Sequence, residues 1–172
     1  MFSKSKFAMM AAMTALLMTS VSADARPKRA KAVGTNGSVT AVQGVNGSSV
    51  RARGARQNAD GSVTSGRTGA FKTANGAQGA RASTTTVNPD GSANRRSARG
   101  ASGAAGSYST SSDVTRNADG TYSGGRSTNA TRAATGNSYS GSTQIDPATG
   151  KPVRTATCTN AAGAVIACPK AN

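Results

Sequence analysis

Asn88-Pro89-Asp90-Gly91-Ser92 is the stretch of this 172-residue chain whose reading decides its fold. Pro89 pre-sets φ for the first corner of a type I turn, and Asp90 tolerates the second. Gly91 accepts the left-handed conformation that follows, and Asn88 can hydrogen-bond the backbone ahead of it. A type I turn followed by a left-handed Gly is a common three-residue hairpin loop with a bulge. The pattern returns as Asn58-Ala59-Asp60-Gly61-Ser62 and Asn117-Ala118-Asp119-Gly120-Thr121, so that the Asp residues lie 30 and then 29 positions apart. A longer relative, Asp146-Pro147-Ala148-Thr149-Gly150-Lys151, follows after a further 27 positions. A period of this size signals an array of supersecondary units.

A second set of turn signals falls halfway between the first. They are Asn75-Gly76-Ala77-Gln78-Gly79, Ser102-Gly103-Ala104-Ala105-Gly106, Ala134-Thr135-Gly136-Asn137 and Asn160-Ala161-Ala162-Gly163. Between turns lie stretches of roughly ten residues, rich in Thr, Ser, Val, Tyr and Arg, with no helical stripe; such residues favour strands. The expected fold is all-β: a repetitive antiparallel hairpin meander of about eight strands, or a β-solenoid-like array. A largely disordered chain is the alternative. The repeat region is expected over residues 50–172. Before it, residues 26–49 read as a basic, flexible arm containing the looser signals Asn36-Gly37 and Asn46-Gly47.

Composition limits what the array can bury. The chain carries 21 Lys+Arg against 6 acidic residues, a formal charge of +15, with no His and no Trp. Beyond residue 25, the large apolar side chains are Val, two Ile, three Tyr and Phe71. A thick core is therefore not expected, and composition alone would place the chain in the disordered class.

Residues 1–25 read as a signal peptide. Lys4 and Lys6 precede the uncharged run from Phe7 to Met18, and Ala23 and Ala25 offer cleavage sites. The run is too short for a bilayer core, which needs about 20 apolar residues, so no membrane span is expected after cleavage. The absence of Cys near the cleavage site argues against a lipid anchor. The protein is thus expected in the periplasm or outside the cell.

Cys158 and Cys168 flank Thr159 to Ala167, with Gly163 at the midpoint. A hairpin centred there would set the two Cys opposite each other. Two Cys in an exported chain normally pair, and such a bridge would staple the C-terminal edge.

Catalysis is not expected, since a general acid or base near its working pKa is needed, and the chain has neither His nor Glu. No cofactor is expected. The Asn-x-Asp-Gly segments superficially resemble calcium loops, but each offers one carboxylate and lacks the closing Glu of an EF-hand. They read as turns, and no metal is expected.

Positive charge is the most direct functional signal. Arg51, Arg53 and Arg56 form one concentration, and Arg95, Arg96 and Arg99 another. Guanidinium forks match phosphate and carboxylate geometry. They mark a candidate surface for polyanions such as anionic lipid or lipopolysaccharide, acidic polysaccharide or extracellular nucleic acid. Only Phe71, Tyr108, Tyr122 and Tyr139 could stack on bases, too few for a dedicated or sequence-specific nucleic-acid reader. The functional expectation is an exported, non-enzymatic repeat protein with a structural or surface role. The alternative is an Arg-driven polyanion binder, disordered until bound. Unpaired strand edges would also permit self-association.

Overall fold

The computed structural model describes residues 27–168. The segment expected to be a signal peptide, with Ala23 and Ala25, lies outside the described residues. Eleven strands follow one another: β1 (Lys28–Gly34), β2 (Gly37–Gly44), β3 (Gly47–Gln57), β4 (Val63–Thr73), β5 (Gln78–Val87), β6 (Ala93–Gly103), β7 (Gly106–Arg116), β8 (Tyr122–Arg132), β9 (Ser138–Ile145), β10 (Pro152–Thr159) and β11 (Val165–Ile166). They form one open antiparallel sheet in sequence order, with every neighbour supplied by the adjacent hairpin. The meander expected from the turn period is the fold. The solenoid form is not adopted, because consecutive strands pair directly with each other.

The sheet reaches further towards the N-terminus than the sequence suggested. Residues 26–49, expected as a flexible arm, instead carry β1, β2 and the start of β3. The reason is that the looser signals Asn36-Gly37 and Asn46-Gly47 close tight hairpins: Gly34-Thr35-Asn36-Gly37 and Gly44-Val45-Asn46-Gly47 are two-residue loops flanked by paired glycines, Gly34↔Gly37 and Gly44↔Gly47. Gly103-Ala104-Ala105-Gly106 repeats the arrangement.

The Asn-x-Asp-Gly loops close as expected, with one correction. In the loop at Asn88, its carbonyl accepts from Gly91 N at 3.0 Å and its N–H donates to Ser92 O at 2.9 Å. Gly91 sits at φ 81°. The Asn88 side chain, however, does not bond the backbone ahead: its Nδ2 donates to Ser92 Oγ at 2.9 Å. Asp90 supplies the backbone bond instead, with Oδ1 accepting from Ser92 N at 2.9 Å and from Ser92 Oγ at 2.7 Å. The same three side-chain bonds recur at Asn58, Asp60 and Ser62 and at Asn117, Asp119 and Thr121. The hydroxyl at the fifth position is therefore part of the motif. Where no Asp follows, the expected bond does form: Asn160 Oδ1 accepts from Ala162 N and Ala164 N. Asp146 does likewise with Ala148 N at 2.9 Å, in a loop whose Gly150 sits at φ 66°.

The sheet is a layer without a core of its own. Among the described residues, Cys158 is the only buried apolar side chain; Ser62 and Thr110 are the buried polar ones. Cross-strand hydroxyl pairs hold adjacent strands where larger sheets use apolar contact. Examples are Ser97 with Ser112 at 2.9 Å, Ser111 with Ser127 at 2.8 Å and Ser142 with Thr155 at 2.8 Å. Both edges are guarded. Strand β1 is exposed throughout and carries Lys28, Arg29 and Lys31, charges that discourage edge pairing. At the other edge, β11 pairs only Val165 and Ile166 with β10 and is tied down by the Cys158–Cys168 disulfide. The bridge is diagonal: Cys158 faces Ile166, because the loop closes between Asn160 and Ala164. That centres it one residue before Gly163. A structural disulfide points to an oxidising, non-cytoplasmic environment.

Candidate polyanion-binding face

In an antiparallel sheet, directly opposed residues share a face, and the face changes with each step along a strand. The continuous register therefore sorts the strand side chains into two faces. One face carries Arg51, Arg53, Arg67, Arg81, Arg95, Arg99, Arg116, Arg126, Arg132 and Arg154, together with Arg29 and Lys31 near the β1 edge. None of the described strand residues on it is acidic. The opposite face has Lys28, Arg56, Lys72 and Arg96, together with Asp113. Its middle columns run through small residues such as Ala30, Ala41, Val50, Ala70 and Ala80.

Arg96 is thereby removed from the candidate surface. It lies across from Asp113, and its Nε donates to Asp113 Oδ2 at 2.8 Å. Asn94 Nδ2 donates to the same carboxylate at 2.7 Å. That bond first, opposed in part by desolvation, and then the Arg96 charge hold Asp113 below its ordinary pKa of 3.8. Arg56 also points to this second face. The remaining sequence candidates, Arg51, Arg53, Arg95 and Arg99, share the basic face.

The densest part of that face spans β3 to β6. Arg53 lies directly opposite Arg67, and Arg81 directly opposite Arg99. Like charges opposed in this way destabilise a sheet. Arg51, Gly69, Arg81 and Arg99 form one column across four strands. Gly69 is a gap in it that the flanking side chains close: a Cβ there would lie 3.5 Å from Arg51 Cγ and 3.7 Å from Arg81 Nε. The two Arg side chains lean over the glycine, which is buried although the sheet has no second layer. Hydroxyls on neighbouring strands steady two further guanidinium groups. Arg53 Nε donates to Ser38 Oγ at 3.2 Å, and Arg126 Nε to Thr110 Oγ1 at 3.0 Å. In each, the bond is made by Nε and not by a terminal nitrogen.

The other carboxylates sit apart from this face. Asp60, Asp90, Asp119 and Asp146 all occupy loops at one end of the sheet. The hydroxyls of Ser62, Ser92 and Thr121 hold the first three below the ordinary range, with the N–H groups of the same residues adding to the effect. Asp146 is lowered chiefly by Ala148 N–H, then by the Thr149 hydroxyl. These groups are engaged within their turns. No group of three His, Cys, Asp or Glu that could hold a metal ion occurs among the described residues.

No family model, curated protein or solved structure matches this chain. The reading of the face accordingly rests on its own geometry. Among its ten arginines, sequence clustering found Arg51, Arg53, Arg95 and Arg99 and missed Arg67, Arg81, Arg116, Arg126, Arg132 and Arg154. Those residues stand alone in the sequence and become neighbours only through the strand register. The alternations in Arg29-Ala30-Lys31 and Arg51-Ala52-Arg53 were the local signals of a shared face.

Proposed function

We propose that this protein is an exported, non-enzymatic repeat protein that presents one face of its sheet to a polyanion. The observation that carries the reading is the pairing of Arg53 with Arg67 and of Arg81 with Arg99 on a face without carboxylates. Solubility alone would be served by charge of both signs spread over both faces. Like charges set opposite each other cost stability, and an anion bridging them removes that cost while gaining forked hydrogen bonds. Export is supported by the signal-like start of the sequence and by the disulfide.

The test is arginine footprinting with a dicarbonyl reagent, read by mass spectrometry, with and without a heparin oligosaccharide. Arg51, Arg53, Arg67, Arg81 and Arg99 are expected to be protected by the polyanion. Arg56, on the opposite face, is expected to react unchanged. Equal protection of both faces, or none, would refute the assignment.

A further inference from the structure

We propose that the polyanion is a single-stranded nucleic acid, bound with its bases stacked on a row of aromatic rings beside the arginines. This rests on the basic face being the binding surface. Counted in the sequence, Phe71, Tyr108, Tyr122 and Tyr139 were too few and too scattered for a dedicated nucleic-acid reader; the register alters that expectation, because all four lie on the basic face. Three share one column, which runs Ser49, Phe71, Gly79, Ala101, Tyr108, Ala130, Tyr139, Cys158 and Ile166 across β3 to β11. Tyr122 lies on the same face at the far end of β8, opposite Arg116.

Two of the rings reach over glycines. A Cβ on Gly79 would sit 2.7 Å from Phe71 Cε1, so the Phe71 ring covers that glycine on the next strand. The Tyr139 ring covers Gly141 in the same way, with Cζ 2.6 Å and Cε1 2.8 Å from the corresponding position. Phe71 and Tyr108 remain 43% exposed and Tyr139 38%. Around Tyr108 and Tyr139 the surface forms a shallow groove, lined also by Ala101, Ala130, Arg132 and Cys158.

Cation and ring are spaced for one ligand. The column of Arg51, Arg81 and Arg99 lies two residues along the strands from the aromatic row, about 7 Å away. Phe71 and Tyr108 are three strands apart, about 14 Å, and Tyr108 and Tyr139 two strands apart, about 10 Å. A flexible strand crossing the sheet can place a base on each ring and its phosphates over the arginines. A duplex keeps its base faces inside its own stack and cannot. Stacking accepts every base, so binding would be indifferent to sequence.

The test compares a fluorescent 15-mer of thymidylate with an abasic 15-mer of the same length and charge, by anisotropy on the oxidised protein. Thymidylate is expected to bind at least tenfold more tightly and to quench tyrosine fluorescence. Phe71→Leu, Tyr108→Leu and Tyr139→Leu together are expected to bring the two ligands to parity. Equal binding by the unaltered protein overturns the proposal without needing any variant. So does a thymidylate advantage that survives in the Leu variant, or heparin that binds more tightly than thymidylate and loses that binding when the rings are removed. Salt-sensitive binding of heparin and of both oligonucleotides, without a gap between the oligonucleotides, would leave the polyanion reading standing and this one refuted. Failure of all three to bind would refute both.

Discussion

Replacing Arg53, Arg67, Arg81 and Arg99 with Thr should weaken polyanion binding while making the sheet more stable. Thr is chosen because it keeps strand propensity. Each phosphate contact contributes about 0.7–0.9 to the slope of log affinity against log salt, which is about 5- to 8-fold at 0.1 M salt. If all four arginines make a contact, the slope should fall by about 3 and the affinity by about 600- to 4,000-fold. Stability moves the other way. The substitutions remove two directly opposed like-charge pairs, Arg53↔Arg67 and Arg81↔Arg99. Each pair costs about 0.2–1 kcal/mol, so removing both gains about 0.4–2 kcal/mol, less whatever the bond from Arg53 to Ser38 contributes. That corresponds to a Tm higher by about 1–8 °C. The gain should vanish in about 1 M salt, where the screening length is about 3 Å. Titration with a labelled anionic oligomer at several salt concentrations gives the slope, and circular dichroism melts give the Tm. An unchanged slope would refute the placement of the site. A lower Tm at low salt would refute the view that these pairs are a strain which the ligand relieves.

Three further outcomes follow from the turns and the staple. Gly91 sits at φ 81° with nothing within 4 Å of a Cβ, so Gly91→Ala should cost only the left-handed backbone penalty of about 1–2 kcal/mol by urea denaturation. Gly106, at φ 135°, would drive a Cβ into Thr131 O and within 3.0 Å of Ala133 N. Gly106→Ala should therefore cost clearly more, and equal losses would contradict the distinction. The depressed carboxylates set the acid response. Their folded pKa values lie below the ordinary 3.8, so their contribution is complete above 3.8 and is lost as pH falls through the lowered values. Melts should be insensitive to these groups near neutrality and fall away below 3.8. The joint change Asp60→Asn, Asp90→Asn and Asp119→Asn should lessen that dependence, and an unaltered acid profile would sink the account. Reducing the Cys158–Cys168 bridge, a separation of 10 residues, should cost about 3 kcal/mol. Hydrogen exchange should rise first in β11 and the adjoining edge of β10; a rise spread evenly over the sheet would speak against a local staple.

Much of the fold was legible because its punctuation is local. A type I turn with a left-handed glycine is specified by five consecutive residues, and three copies at a near-constant interval establish an antiparallel meander. The opening hairpins were less legible. Gly34-Thr35-Asn36-Gly37 lacks an Asp, and the basic residues beside it read as a solvated arm. The turn hydroxyls were visible as Ser62, Ser92 and Thr121, but their role was not. Nothing in composition reveals that a hydroxyl accepts from an Asn and donates to an Asp two residues behind it.

The candidate site shows the opposite balance. Sequence proximity joined Arg95 and Arg96, adjacent residues whose side chains point to opposite faces, one of them engaged by Asp113. It separated Arg53 from Arg67 and Phe71 from Tyr139. The chain by itself determined where strands end, how many residues separate the turns, and that the product would be basic and thin. Only the tertiary structure decided which residues share a face, because a face is set by the parity of the register summed across successive hairpins. A shift of one residue in a single pairing would move every later side chain to the other side. The turn chemistry fixes that parity at each hairpin, and in doing so it assembles the arginines and the aromatic rings into one surface.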